Sequence, residues 1–140
     1  MHTPKPLLAL LLAASASMAQ AEPLKIGLIL PLTGPFASTG KQIEAGARLY
    51  MAQQGDTVAD RKVELIVKDD TGAPDMAKRI AQELVVNDKV SVLAGFGLTP
   101  LAMATAPIAT QSKTPLVVMA AATSSITEAS PYIVRTSFTV

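Results

Sequence analysis

The chain has 140 residues, enough for one domain with its own core and too few for two. Twelve Lys and Arg oppose eleven Asp and Glu, scattered singly for a formal charge of +1, so the basic footprint that binds nucleic acid or an anionic membrane is missing. Cysteine is absent, which excludes disulfides and a lipid-modified N-terminal thiol.

Lys5 lies in a short polar start, followed by the apolar run Leu7 to Ala14 and by small residues ending Ala19-Gln20-Ala21, a pattern that predicts a secretory signal over 1–21, cut after Ala21. The apolar run is too short to span a bilayer as a helix, so no stable membrane anchor is expected. Removing this segment takes His2 and Lys5 with it and leaves 12 − 1 = 11 basic against 11 acidic groups. The remaining 22–140 hold no His, Cys or Trp. Ser-His-Asp and Cys-His catalysis and most zinc sites need those residues, so no catalytic group, metal or cofactor is expected. The expected destination is the periplasm.

Lys25 to Pro31 is nearly all apolar, as suits a parallel strand buried on both faces. The turn-rich Leu32 to Gly40 follows, and Thr39 with Gln42 has the spacing of a capping box at the start of a helix. Ile43, Ala47, Tyr50 and Met51 recur at helical spacing, which predicts a helix to about Gln54 that covers one side of a sheet. Gly55 to Asp60 is a polar connection, and Lys62 to Lys68 reads as the second strand. Pro74 opens a second helix with the apolar stripe Ala77, Ile80, Ala81, Leu84 and Val85, ended by Asn87-Asp88. Val90 to Ala94 is the third strand, Leu101 to Ser112 a third helix broken by Thr114-Pro115, and Leu116 to Met119 the fourth strand. Tyr132 to Thr136 fits a fifth.

Strand and helix alternate with short loops, which predicts an α/β fold with a doubly wound parallel sheet. In such sheets ligands lie beyond the carboxyl ends of the strands. That rule selects Leu32 to Thr39, Asp69 to Ala73, Gly95 to Thr99 and Ala120 to Ser125. In Gly95-Phe96-Gly97-Leu98-Thr99-Pro100, Thr99 suits a helix N-cap and Pro100 the first helical position. Free N–H groups and the helix dipole favour an anion there. Pro100 stands where a dinucleotide fingerprint needs its third glycine, and no Walker lysine follows. Ala120 to Ser125 offers backbone amides beside the hydroxyls of Thr123, Ser124 and Ser125, which suit a carboxylate or serve as local caps. Asp69-Asp70 is expected to be a solvated pair at a strand end rather than a metal site.

The ordered set Lys25-Ile-Gly-Leu, Pro31-Leu-Thr-Gly-Pro, Gly46-Ala-Arg, Asp69-Asp70, Val92-Leu-Ala-Gly and Ala121-Ala-Thr123 resembles the solute-binding proteins of ABC transporters for branched-chain amino acids and related ligands. The resemblance implies a type I periplasmic binding fold of two lobes that close on a ligand, with 22–140 as an incomplete, truncated N-terminal lobe. It implies that Thr99, Ala121 and Thr123 hold the ligand carboxylate and that Phe36 and Thr39 line the pocket. Thr39 stands where some amino-acid binders carry a bulky aromatic. The implied ligand is an amino acid, aromatic acid or similar carboxylate, and the implied partner an ABC transporter permease. A ligand-sensing receptor domain of the same fold is the alternative; phosphoryl chemistry at Asp69-Asp70 ranks last. An incomplete sheet is expected to leave an open edge and an uncovered apolar face.

Overall fold

The computed structural model describes residues 21–140, so the predicted signal lies outside the described residues except for Ala21. Six strands form one sheet in the order β2-β3-β1-β4-β5-β6. The strands are β1 (Leu24–Leu30), β2 (Thr57–Val58), β3 (Arg61–Asp69), β4 (Val92–Gly95), β5 (Leu116–Val118) and β6 (Ile133–Arg135). The helices are α1 (Ala37–Gln54), α2 (Pro74–Val86) and α3 (Thr99–Ser112), with a 3-10 turn at Ser124–Glu128. All strand pairs are parallel except β2 with β3. The α/β architecture and the element order therefore follow the sequence pattern closely.

Alternation along the strands divides the apolar residues between two faces. Ile29, Leu93, Leu116 and Val118 join the core with Ala77, Ile80, Ala81 and Leu84 of α2 and Leu101, Ala102, Ala106 and Ala109 of α3. The predicted α2 stripe is the one that packs there, with Val85 half-buried at its margin. Leu28, Leu30 and Ala94 point to the other face, where Ile43 of α1 packs.

That second face is thinly covered. Gly40 is the buried residue of α1, while Tyr50 is 68% exposed. The predicted positions Ile43, Ala47, Tyr50 and Met51 do turn to this face, but only Ile43 packs on the sheet core, and the other three stand off it. An open apolar groove of about 460 Å³ remains between Ala47, Tyr50 and Met51 of the helix and Leu24, Ile26, Val63 and Leu65 of the strands. The predicted uncovered face is thus present. No helix among the described residues is long and apolar enough to cross a membrane.

Three local expectations change. Thr57–Val58 pairs back on Arg61–Lys62 through a two-residue turn with Ala59 and Asp60 at positive φ, where only a polar connection was expected. The start of α1 is set by the turn at Gly34, whose carbonyl accepts the Ala37 N–H, so Thr39 is already inside the helix. No Thr39–Gln42 capping box forms; Gln42 instead donates to Ser38 Oγ one turn back (3.2 Å).

Candidate functional site

β1 is flanked by β3 and β4, so the chain leaves it in one direction and returns past it in the other. The crevice at such a switch point lies beyond the carboxyl ends of β1 and β4. The first and third loops meet there: a Cβ on Gly97 would lie 2.9 Å from Pro31 Cγ.

The third loop is bent tightly. Gly95 has φ +115, and a Cβ on it would lie 2.1 Å from the Ile29 carbonyl oxygen, so only glycine fits. Phe96 follows at φ +65, a conformation rare for a bulky side chain, and is held there from three sides. Its N–H donates to the Ile29 carbonyl (2.9 Å), its carbonyl accepts the Ala121 N–H (3.0 Å), and its ring is fully buried. Leu98 is then extended and α3 begins at Thr99.

Thr99 is therefore not the N-cap that the sequence suggests. Leu98 occupies the cap position, no side chain caps the helix, and Pro100 is the second residue in. The Thr99 hydroxyl turns across to the next loop, where Thr99 Oγ1 and Thr123 Oγ1 lie 2.8 Å apart. Both side chains are half-buried. In such a pair one hydroxyl donates to the other, and the second proton stays free to donate to a ligand oxygen. The positive dipole end of α3 lies at the same spot, where Pro100 has no N–H, those of Leu101 and Ala102 return to the Leu98 carbonyl, and the Thr99 N–H is the one left over.

Ala121 is buried beside this pair, but its backbone is already engaged. Its N–H goes to Phe96, and its carbonyl accepts bonds from Arg135 and from Ser137 Oγ. Phe36 and Thr39 lie exposed at the start of α1, Phe36 at 46%. The structure thus joins Thr99 to Thr123 directly, sets Ala121 behind them, and leaves Phe36 and Thr39 on the rim of the first loop.

Asp69 and Asp70 are not the solvated pair expected. Asp69 Oδ1 accepts the N–H groups of Leu32 (2.9 Å) and Thr71 (2.8 Å), and Oδ2 accepts the Thr33 hydroxyl (2.7 Å), so this carboxylate ties the first loop to the second. Burial pushes its pKa upward, but the bonds from Thr33, Leu32 and Thr71 outweigh that and hold it below the ordinary carboxylate value. Asp70 is fully buried; Oδ1 accepts the Gly72 N–H (2.8 Å) and Oδ2 has no partner. Burial raises its pKa, the Gly72 bond opposes the rise, and the neighbouring Asp69 charge adds to it. Asp69 ends β3 and Asp70 follows it, and only the tertiary fold brings the first loop down onto them.

Sequence reasoning also passes over Arg135, which reaches the fourth loop from β6. The signal was available only in part: Tyr132 to Thr136 reads as a strand, but which strand it joins is fixed by the pairing of Leu116 with Ile133.

A mostly parallel α/β sheet with hydroxyls converging at the carboxyl ends of its strands is an arrangement at which small-molecule sites commonly form. A family model described as periplasmic binding protein matches residues 23–140, and the chain belongs to that family. Leu/Ile/Val-binding protein homolog 6 of Brucella abortus (strain 2308) is 52% identical over 126 residues, covering 89% of this chain and 32% of that protein. Among solved structures, a solute-binding protein of an ABC transporter from Rhodopseudomonas palustris BisB5, in complex with 3,4-dihydroxybenzoic acid, is 65% identical with a TM-score of 0.82, covering 83% of this chain and 32% of that one. A solute-binding protein of an ABC transporter from Rhodopseudomonas palustris HaA2, in complex with p-hydroxybenzoic acid, is 50% identical with a TM-score of 0.80 and the same coverage. The chain spans about a third of the length of these relatives.

Proposed function

We propose that the natural-length protein carrying this chain is the periplasmic substrate-binding component of an ABC importer, that 22–140 contribute its N-terminal lobe, and that its ligand is an aromatic carboxylate of the hydroxybenzoate class. The Thr99–Thr123 hydroxyl pair carries this reading: two linked, half-buried hydroxyls with one proton left to donate, at a helix start, suit a carboxylate and need no metal or cofactor. Two further observations support the ring. Relatives crystallised with hydroxybenzoates are 65% and 50% identical to this chain. Thr39, small and exposed, leaves room where some amino-acid binders place a bulky aromatic.

In this reading Thr99 and Thr123 grip the carboxylate, Ala121 shapes the wall behind it, and Phe36 with Thr39 flank the ring. The role is non-enzymatic, the signal over 1–21 directs export with a cut after Ala21, and the loaded protein delivers its ligand to a permease. Branched-chain amino acids are the competing ligand, because the Brucella relative carries a Leu/Ile/Val-binding name at 52% identity. Thermal unfolding of the natural-length protein with 3,4-dihydroxybenzoate, p-hydroxybenzoate, leucine and isoleucine separates the two. A ligand at a hundredfold excess over its dissociation constant stabilises the folded state by about 2.7 kcal/mol. The hydroxybenzoates are expected to raise the midpoint and leucine to leave it unchanged; a shift with leucine alone would reverse the assignment.

A further inference from the structure

The fourth loop is held from behind by a side chain that belongs to none of its motifs. Arg135 donates from Nη1 to the Ala121 carbonyl (3.3 Å) and from Nη2 to the Thr123 carbonyl, and Nη1 also reaches the Phe138 carbonyl (3.4 Å). In a trans peptide the carbonyl and the following N–H point in opposite directions. With the Ala121 and Thr123 carbonyls drawn toward β6, the N–H groups of Ala122 and Ser124 face the other way. β5 lies between β6 and β4, so that other side is the one from which Thr99 approaches. Ala121 itself has no N–H to offer a ligand, because Phe96 takes it.

Charge points the same way. Among the described residues no carboxylate lies within ion-pair distance of Arg135, and its Nε is buried without an acceptor. Within the described residues this part-buried guanidinium therefore meets carbonyl partners alone, and its positive charge is not offset there. The hydroxyls of Thr99 and Thr123 carry none.

We propose that Arg135 is a positioning residue for anion binding, turning the Ala122 and Ser124 N–H groups toward the ligand and placing a positive charge behind them. It acts through the loop and does not touch the ligand. The proposal rests on the carboxylate reading of the Thr99–Thr123 pair, and it moves the amide contribution from Ala121 to its neighbours.

The test compares an acid with its neutral analogue, 3,4-dihydroxybenzoate against 3,4-dihydroxybenzamide, by calorimetry on the natural-length protein. Arg135→Gln is expected to weaken the acid about tenfold or more and the amide far less, so that the preference for the acid shrinks. Arg135→Lys, which keeps the charge, is expected to recover much of that preference. Equal losses on both ligands would reduce Arg135 to a structural role and overturn the proposal. A measurement on the unmutated protein covers the case in which Arg135→Gln does not fold: during titration with the acid, the Ala122 and Ser124 amide resonances should move more than that of Ala121. Saturated binding with those two unmoved would also overturn it. If the unmutated protein binds neither compound, the carboxylate reading itself fails; if Thr99→Val weakens the acid and Arg135→Gln does not, only the role of Arg135 fails.

Discussion

The rim at the carboxyl ends of the strands has two halves built from similar residues and put to opposite use. On the β1–β3 half, Asp69 binds three donors from the first and second loops, and Asp70 is sealed beneath them. On the β4–β5 half, two threonine hydroxyls face each other, and the arginine behind them has no counter-charge among the described residues. The first half is acidic and closed on itself; the second is a set of donors with capacity left over. The difference lies in whether neighbours already satisfy a polar group, not in how polar it is.

The largest expected effect breaks the closed half. Asp69→Ala leaves the Leu32 N–H, the Thr33 hydroxyl and the Thr71 N–H without their shared acceptor, and should cost about 2 kcal/mol of stability. Urea unfolding measures this directly. Affinity for 3,4-dihydroxybenzoate should fall much less than in Thr99→Val, because this half positions the first loop and does not itself hold the carboxylate. A loss of affinity matching that of Thr99→Val would merge the two halves into one site.

Asp70 sharpens the contrast through pH. Its pKa is raised in the folded state, so its contribution to stability is fully present below the unfolded value and is lost as pH rises through the raised one. Asp69 is held low, so its contribution is present above the unfolded value and is lost as pH falls through the lowered one. Asp70→Asn keeps an oxygen for the Gly72 N–H and removes the buried charge. Its stability relative to the unmutated protein should therefore climb as pH rises through the carboxylate range and then level off, by less than the Asp69→Ala loss. A flat difference across denaturation midpoints from acid to neutral pH would mean that Asp70 titrates alike in the folded and unfolded states, its burial offset by a partner.

These two residues also mark what the sequence can and cannot convey. The α2 stripe and the apolar strands are legible because helical and strand periodicity are local, and Pro74 marks the helix start. Asp69-Asp70 is legible as a motif but not as a latch, because its donors at Leu32 and Thr33 arrive through the pairing of β1 with β3. The turn at Ala59-Asp60 escapes notice because Ala59 is not a residue that announces positive φ, and Asp60 tolerates it without the glycine that usually marks such a turn. Thr99 is legible as a hydroxyl beyond the end of β4 but mistaken for a cap. Its geometry depends on the bend at Gly95 and Phe96, which places Leu98 in the cap position and frees the side chain.

That freedom sets the smallest change in stability and the sharpest test of the open half. Had Thr99 capped α3, Thr99→Val would cost about 1 kcal/mol through loss of the cap. With no such bond present, what is lost is one half-buried contact to Thr123, so stability should fall by about 1 kcal/mol or less. Affinity for 3,4-dihydroxybenzoate should fall about tenfold, because a charge-assisted donor disappears while shape is kept. Thr123→Val should act alike. The double variant should lose less than the sum of the two, since either substitution alone already breaks the Oγ1 pair. Strict additivity in affinity would mean that the two hydroxyls meet the ligand separately, and the paired arrangement would then not be the one that binds.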